Sequence, residues 1–351
     1  REKVIGITER STQMSNAYGI DLGTRNLKIY NKSTGEVTRI KNAIAIVEKD
    51  QMYAYGDDAY SMYEKAPESI EVSFPIVGGV IADFDNMQTM LFTALEELLH
   101  AKLKGADIVT TVPTDITEVE KKAFSDMFMK SKIKFRSVTL CEKPLADALG
   151  MGLDITEPTG VMIVDIGADT TEISVISLGG LVLSNLLPFG GNQLDDDIVT
   201  YLKRNHSLVI GRKTAKQLKE HIGSARMPQQ EQTMKVVGRD IVSGLPIEME
   251  ISSSMIYEAI KDDLNSLCTS IRLILEKVPP ELAKDIVYSG IYLTGGSSKI
   301  IDLADLFTEV TNISVKVAEN ADVSAAYGLH LVLSDEKYRR FGYTPKARIF
   351  K

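Results

Sequence analysis

Three glycine turns in the sequence could bind an anion such as phosphate, because each follows an apolar, strand-like run. The turns contain Gly23 in "GIDLGTRN", Gly167 in "IVDIGADTTEISVISLG", and the pair Gly295 and Gly296 in "IYLTGGSSKI". A glycine turn lets backbone N–H groups approach an anion closely, since no Cβ intervenes. One such turn is weak evidence, but three of them in this order predict an anion-binding cleft.

Two aspartates at the ends of these strands could organise a magnesium ion beside the anion. Asp21 precedes the first turn and Asp165 precedes the second. Magnesium prefers oxygen ligands and keeps much of its water shell, so two carboxylates could orient its waters from opposite sides of a cleft. Threonine hydroxyls beside the turns would add donors for phosphate; they belong to Thr24, Thr170 and Thr171.

The segments around the first two turns repeat one another, which indicates how the turns are positioned. Eight residues after each aspartate stands an isoleucine, Ile29 or Ile173, and fourteen residues after it a glycine, Gly35 or Gly179. Each segment therefore reads as a hairpin that follows an apolar strand. This internal echo predicts two domains of related fold, each offering one glycine hairpin to a shared cleft.

Helical patterns lie between the strands. Apolar residues recur at helical spacing after Asp85, which suits an N-cap, and residues 255–278 read as a long helix ended by Pro279 and Pro280. The run Asp195-Asp196-Asp197 is expected at a helix N-terminus, where negative charge is favoured.

Composition bounds the class of protein. A chain of 351 residues predicts two domains, and its net charge of -8 argues against nucleic-acid binding. Cys141 and Cys268 stand far apart, which predicts two buried free thiols in a reducing cytosol. No apolar run approaches the length of a membrane span, so we expect a cytoplasmic protein, at most peripheral at the inner face of the cell membrane.

The three turn motifs resemble the phosphate-1, phosphate-2 and adenosine motifs of the actin-like ATPase superfamily. Within it, "GRDIVSGLP" and "EKVPPELAKDIVYSG" are similar to the MreB family of bacterial actin homologues, and the resemblance runs from about Ala17 to about Leu333. It implies an α/β, actin-like fold: two related domains, each with a mixed β-sheet flanked by helices, and a nucleotide cleft between them. The implied division is an N-terminal arm at 1–16, subdomain IA at 17–42, 81–157 and 322–351, IB at 43–80, IIA at 158–193 and 255–321, and IIB at 194–254.

The resemblance also implies a ligand and partners. ATP or ADP would bind with Mg²⁺, held through water by Asp21 and Asp165. The implied nucleotide-binding residues are Asp21, Gly23, Thr24, Asn26, Lys28, Asp165, Gly167, Asp169, Thr170, Thr171, Lys219, Glu220, Gly295, Gly296 and Ser297. The implied partners are further copies of the chain, in protofilaments paired antiparallel, and other MreB-like filaments. A membrane surface could be met by the tail, residues 338–351, which interleaves basic and aromatic residues.

Two departures from the family fall where the γ-phosphate should lie. The family has Glu-Glu-Pro where this chain has Glu142-Lys143-Pro144, and the second Glu of that motif positions the attacking water. A lysine ammonium only donates hydrogen bonds, so Lys143 cannot accept a proton from water. The family also has Gly-Gly where this chain has Ala168-Asp169. We predict that Lys143 and Asp169 approach within salt-bridge reach, directly or through a bound cation.

These features predict an ATP-binding, filament-forming cytoskeletal protein of rod cell shape with weak or lost hydrolysis. Thr170 and Thr171 remain the candidates for residual catalysis. One alternative is a non-polymerising, hydrolysis-deficient regulator that co-assembles with or caps MreB filaments. A second is a small-molecule kinase of the same superfamily, which would need a catalytic aspartate facing a substrate pocket.

Overall fold

The computed structural model describes residues 16–48, 51–98 and 100–344, which leaves nearly all of the predicted N-terminal arm outside the described residues. Its strands, in chain order, are β1 (Ala17–Leu22), β2 (Asn26–Asn31), β3 (Glu36–Lys41), β4 (Ile44–Val47), β5 (Gln51–Tyr55), β6 (Ile70–Ser73), β7 (Ile76–Val77), β8 (Val80–Ile81), β9 (Asp107–Val112), β10 (Ser137–Glu142), β11 (Val161–Ile166), β12 (Thr171–Ser177), β13 (Gly180–Leu187), β14 (Leu208–Val209), β15 (Thr233–Asp240), β16 (Pro246–Ser252), β17 (Ile291–Thr294), β18 (Val315–Val317) and β19 (Gly342–Tyr343). Its α-helices are α1 (Gly56–Met62), α2 (Phe84–Glu97), α3 (Glu118–Met129), α4 (Lys143–Gly150), α5 (Gly191–His206), α6 (Arg212–Ile222), α7 (Ser253–Leu275), α8 (Pro280–Ser289), α9 (Leu303–Thr311) and α10 (Ser324–Ser334).

Two mixed sheets with the same strand order form the centre of the molecule. In the first, the order is β3-β2-β1-β9-β10-β19, and in the second it is β13-β12-β11-β17-β18. In each, an antiparallel hairpin (β1–β2 or β11–β12) is followed by a strand parallel to its first member (β9 or β17). The repeated strand order matches the internal echo of the sequence. It also places Asp21 and Asp165 at equivalent positions, near the ends of β1 and β11.

Smaller sheets lie beside the two central ones. Strands β5, β4 and β6 form one three-stranded sheet, β14, β15 and β16 form another, and β7 pairs with β8. The three-stranded sheets fall within the ranges expected for subdomains IB and IIB, while the boundaries between subdomains stay predictions.

Helices cover the sheets with apolar faces at helical spacing. Helix α7 buries one residue per turn along its length, and these residues are Ile256, Ile260, Leu264, Leu267, Ile271 and Ile274. Burying each large aliphatic side chain contributes on the order of 2 kcal/mol. Cys141 and Cys268 are buried free thiols, as predicted, and burial raises their pKa values to about 12 and about 11. Each helix of the described residues is too short or too polar to cross a bilayer.

Two helix boundaries differ from the prediction. Helix α2 begins at Phe84, and its cap is Asp83, whose side chain accepts the backbone N–H of Asn86. Asp85 therefore lies in the first helical turn, where its charge still favours the helix N-terminus. Helix α7 ends at Leu275 rather than at Val278, three residues earlier than its terminating prolines suggest.

Helices α4 and α10 pack in unusually close contact, and that contact shapes the cleft floor. A Cβ placed at Gly328 would overlap the carbonyl group of Ala146, and one at Gly150 would overlap the carbonyl of Ser324. Because both positions are glycine, the helix backbones can touch. The approach brings the Ser324 hydroxyl within 2.8 Å of the Asp147 carboxyl group, which accepts its hydrogen bond.

We therefore expect Gly328→Ala to destabilise the protein by about 3 kcal/mol or more, because overpacking here meets rigid backbone rather than a movable side chain. The matched control is Gly180→Ala, where an added Cβ would meet its nearest atom at 3.8 Å. That change should alter the free energy of unfolding by less than about 0.5 kcal/mol. Urea unfolding of the three proteins measures both values, and equal midpoints for all three would contradict the close packing.

Candidate functional site

A cleft of about 490 Å³ lies between the two central sheets and is lined by the three predicted glycine turns. Its volume is within the range of small-molecule sites. Most of the predicted site residues line it, namely Asp21, Gly23, Thr24, Asn26, Lys28, Lys143, Asp165, Gly167, Thr170, Lys219, Glu220, Gly295, Gly296 and Ser297. The sequence therefore identified the walls of the cleft, although the contacts made by individual side chains differ from expectation.

The second and third turns are held together by a hydrogen bond and by a close approach of their backbones. Ser297 donates a hydrogen bond to the carbonyl of Gly167 at 2.9 Å, which ties the third turn to the second. Gly295 has φ +86°, and a Cβ there would overlap Asp165 and the backbone of Ile166. Glycine is required at position 295 on both counts, since other residues disfavour this φ and none would fit.

Two predicted site residues do not line the cleft. Thr171 is fully buried, and its hydroxyl donates to the carbonyl of Phe189 at 2.9 Å. The Asp169 carboxylate accepts hydrogen bonds from the side-chain amide of Asn192 and from the backbone N–H of Gly78, the latter at 3.0 Å. Asp169 thus links the second domain to the loop between β7 and β8.

Both carboxylates expected to organise magnesium are already paired with lysines. Asp21 accepts from Lys28 Nζ at 2.7 Å and from the Thr111 hydroxyl at 2.8 Å. Lys28 stands directly opposite Asp21 in the β1–β2 hairpin, so the strand register creates this pair. Asp165 forms an ion pair with Lys143, the first residue of α4. All four side chains are at least four-fifths buried.

The protonation states follow from burial and from these pairs. Burial opposes the charge of Lys143, but the carboxylates of Asp165, Asp21 and Asp147 outweigh it and hold the lysine pKa well above its usual value. Burial likewise opposes the charge of Asp21, yet Lys28 and Lys143 hold its pKa below the usual value. Burial and the nearby charge of Asp165 raise the pKa of Asp147 well above its usual value.

The predicted direct salt bridge between Lys143 and Asp169 is wrong. Lys143 pairs with Asp165 instead, while Asp169 accepts hydrogen bonds from Gly78 and Asn192. The physical reason is burial: Asp165 is 4% exposed, and a buried carboxylate without a counter-charge is costly. Asp169 lies at the tip of a turn, where neutral donors suffice.

Sequence reasoning missed a second buried ion pair behind the glycine turns. Asp195 is buried within α5 rather than at its first turn, and Lys219 of α6 lies 2.6 Å from it and donates to the carbonyl of Gly191. Arg25 approaches Asp195 at 3.7 Å from the first domain and also donates to Asn192. Part of this pair could have been found from the sequence, since Arg25 directly follows the first turn and α5 begins within the glycine pair Gly190-Gly191.

A polar bridge joins the end of α1 and the residues after it to the start of α6. Glu64 accepts the backbone N–H of Arg212 at 3.0 Å at the start of α6, and Lys213 donates to the carbonyl of Ser61 at 3.0 Å. Behind this bridge, Lys41 lines the cleft, and its pKa is lowered to about 8 by burial and by the nearby charges of Lys216 and Arg39. The arrangement leaves positive charge that an anion would stabilise.

Comparison with known proteins agrees with this architecture. The profile of the MreB/Mbl protein family matches residues 15–340. The cell shape-determining protein MreB of Escherichia coli (strain K12) is 36% identical over 321 residues, which are 90% of this chain and 92% of that protein. The cell shape-determining protein Mbl of Bacillus subtilis (strain 168) is 34% identical over 319 residues, or 90% and 95% of the two chains. The crystal structure of MreB5 of Spiroplasma citri bound to AMPPNP is similar with a TM-score of 0.87 at 32% identity, covering 93% of this chain and 98% of that chain, and the same protein is known bound to ADP.

The buried pair of Lys219 with Asp195 should matter for stability. Replacing Lys219 with Met leaves the Asp195 carboxylate buried with only the more distant Arg25, so we expect a loss of about 3 kcal/mol in the free energy of unfolding. Lys216→Met is the matched control on the same helix, because the ion pair of Lys216 is with the half-exposed Glu220, at 3.6 Å along the helix. The control should lose less than about 1 kcal/mol. Denaturant unfolding measures both losses, and equal losses would show that the buried pair does not provide the stability assigned to it.

Proposed function

Because the chain belongs to the MreB/Mbl family, we propose that it is an actin-like cytoskeletal protein that binds ATP or ADP, assembles into filaments and serves rod cell shape. The observation that carries the proposal is the cleft itself, in which three glycine turns from two related domains face one another. The nucleotide-bound structures of the relative MreB5 support the choice of ligand.

In this proposal the phosphates meet backbone N–H groups of the first two turns. Thr24, Asn26 and Thr170 add polar contacts, Glu220 lies on the ribose side, and the third turn flanks the adenosine. The lowered pKa of Lys41 supports an anionic ligand, since burial and neighbouring cations leave its charge poorly compensated.

We also propose that ATP hydrolysis is weak or absent. The side chain at the position of the family's water-orienting glutamate is the ammonium of Lys143, which has no lone pair to accept a proton. Burial lowers the pKa of this ammonium, but three neighbouring carboxyl groups raise it by more, so the group stays charged. Thr171, one of the two candidates for residual catalysis, has its hydroxyl turned away to Phe189, which leaves Thr170.

Magnesium fits this site poorly. The resemblance implies that Asp21 and Asp165 hold it through water, but both carboxylates are engaged by lysines in the geometry described. Magnesium binding therefore stays a prediction, and the pairing of both carboxylates with lysines argues against it.

Two of the expected assembly contacts, those between paired protofilaments and those with a membrane, stay predictions. Antiparallel pairing of protofilaments stays a prediction. For membrane contact, the described part of the tail packs on its own domain: Phe341 is 6% exposed and β19 pairs with β10. Residues 345–351 lie outside the described residues, so attachment through the tail also stays a prediction.

Electron microscopy of the purified protein with ATP tests assembly. We expect filaments that persist as long as ATP is present, because slow hydrolysis leaves the bound nucleotide unchanged. If the protein forms no filaments by itself but shortens or decorates the filaments of a hydrolysing MreB, the capping regulator replaces the proposed function. Phosphate transfer from ATP to small acceptors would instead favour the kinase.

Restoring the family residue tests the hydrolysis proposal. Lys143→Glu supplies a proton acceptor and should raise phosphate release by about tenfold or more over the parent, since a positioned general base contributes roughly 10²-fold or more. Adding Asp169→Gly should raise it further by restoring the second family residue, whereas Lys143→Met, which removes the ammonium without supplying an acceptor, should gain little. Phosphate release with magnesium in excess is the measurement. A parent that already turns over as fast as Lys143→Glu would contradict the proposal.

A further inference from the structure

The charges around Asp21 and Asp165 form a balanced set. The two carboxylates are each paired with an ammonium group, Asp21 with Lys28 and Asp165 with Lys143. The two ammonium groups together carry the charge of one divalent cation. The residues that should attract magnesium therefore present no net negative charge.

The same groups leave no vacant acidic cluster for a metal. In the ranges that the structure describes, no three His, Cys, Asp or Glu side chains come together in a way that could hold a metal ion. A divalent ion near Asp165 would lie close to the Lys143 ammonium, and like charges at such separations repel strongly where water is partly excluded. Magnesium could reach Asp165 only if Lys143 moved away.

Lys143 is also placed to act on the ligand. Its side chain is 19% exposed and lines the cleft in which a nucleotide would bind. An ammonium group has three donors, and one engaged by Asp165 leaves others for phosphate oxygens. Lys28, paired with Asp21, also lines the cleft, and 14% of its side chain is exposed. Lysine is an ordinary phosphate ligand in proteins.

We propose that Lys143, assisted by Lys28, replaces the divalent cation at this site, so that the protein binds ATP nearly as well without magnesium as with it. The proposal rests on the proposed nucleotide-binding function and specifies its ionic requirement. The Lys143 substitution then has two effects at once: it removes the proton acceptor for hydrolysis and it supplies a fixed counter-ion for the phosphates.

The test is the ratio of two dissociation constants for ATP, one measured in EDTA and one in excess magnesium, by competition against a fluorescent ATP analogue. For the unaltered protein we expect a ratio below about 3, equivalent to less than about 0.7 kcal/mol. A ratio above about 30 would overturn the proposal. Failure to bind ATP in either buffer would overturn the proposed function itself, and the two failures are thus distinguishable.

Variants assign the effect to Lys143. Lys143→Met should raise the ratio by about tenfold or more, because Asp165 loses its counter-ion and magnesium becomes the substitute. Lys143→Arg keeps the charge and should retain a low ratio. Lys216→Met removes another lysine of the same cleft, paired with Glu220 rather than with either aspartate, and should leave the ratio unchanged. Equal ratios for Lys143→Met and Lys216→Met, or a ratio for Lys143→Arg as high as that for Lys143→Met, would contradict the role given to Lys143.

Discussion

The ion pair between Lys143 and Asp165 determines what the cleft can do. Asp165 lies near the end of the central strand of the second sheet and is buried, so a counter-charge at that point stabilises the fold. In this chain the counter-charge is built into the protein. A permanent ammonium cannot accept a proton and leaves little reason for a divalent ion to bind. The proposed loss of a proton acceptor and the proposed change in ionic requirement therefore have one physical origin.

The rest of the fold fixes the geometry of that pair. Two sheets with the same strand order place Asp21 and Asp165 at equivalent strand ends, and β10 leads directly into α4, which begins at Lys143. Glycine contacts hold α4 against α10 and bring Ser324 of α10 to the Asp147 carboxyl group of α4. Asp169 meanwhile reaches toward Gly78 in the first domain, so the unusual carboxylate connects the two domains rather than facing Lys143.

The walls of the site could be read from the sequence, because glycine turns after apolar strands are local features. The echo between the segments at Asp21 and Asp165 also predicted the repeated architecture. The partners of the charged side chains could not be read in the same way. Pairing depends on which carboxylate is buried and on the direction in which each side chain projects from its turn. Both are set by tertiary packing. The same reason accounts for Thr171, whose strand position turns its hydroxyl to Phe189, and for Asp195, which looked like a helix-terminal charge.

The central claim is most directly tested by a crystal structure of the protein with AMPPNP grown in manganese, using anomalous scattering to locate the metal. The account predicts Lys143 Nζ within hydrogen-bonding distance of both Asp165 and a terminal phosphate oxygen, with no manganese peak between them. A manganese peak beside Asp165, with the Lys143 side chain turned out of the cleft, would contradict it.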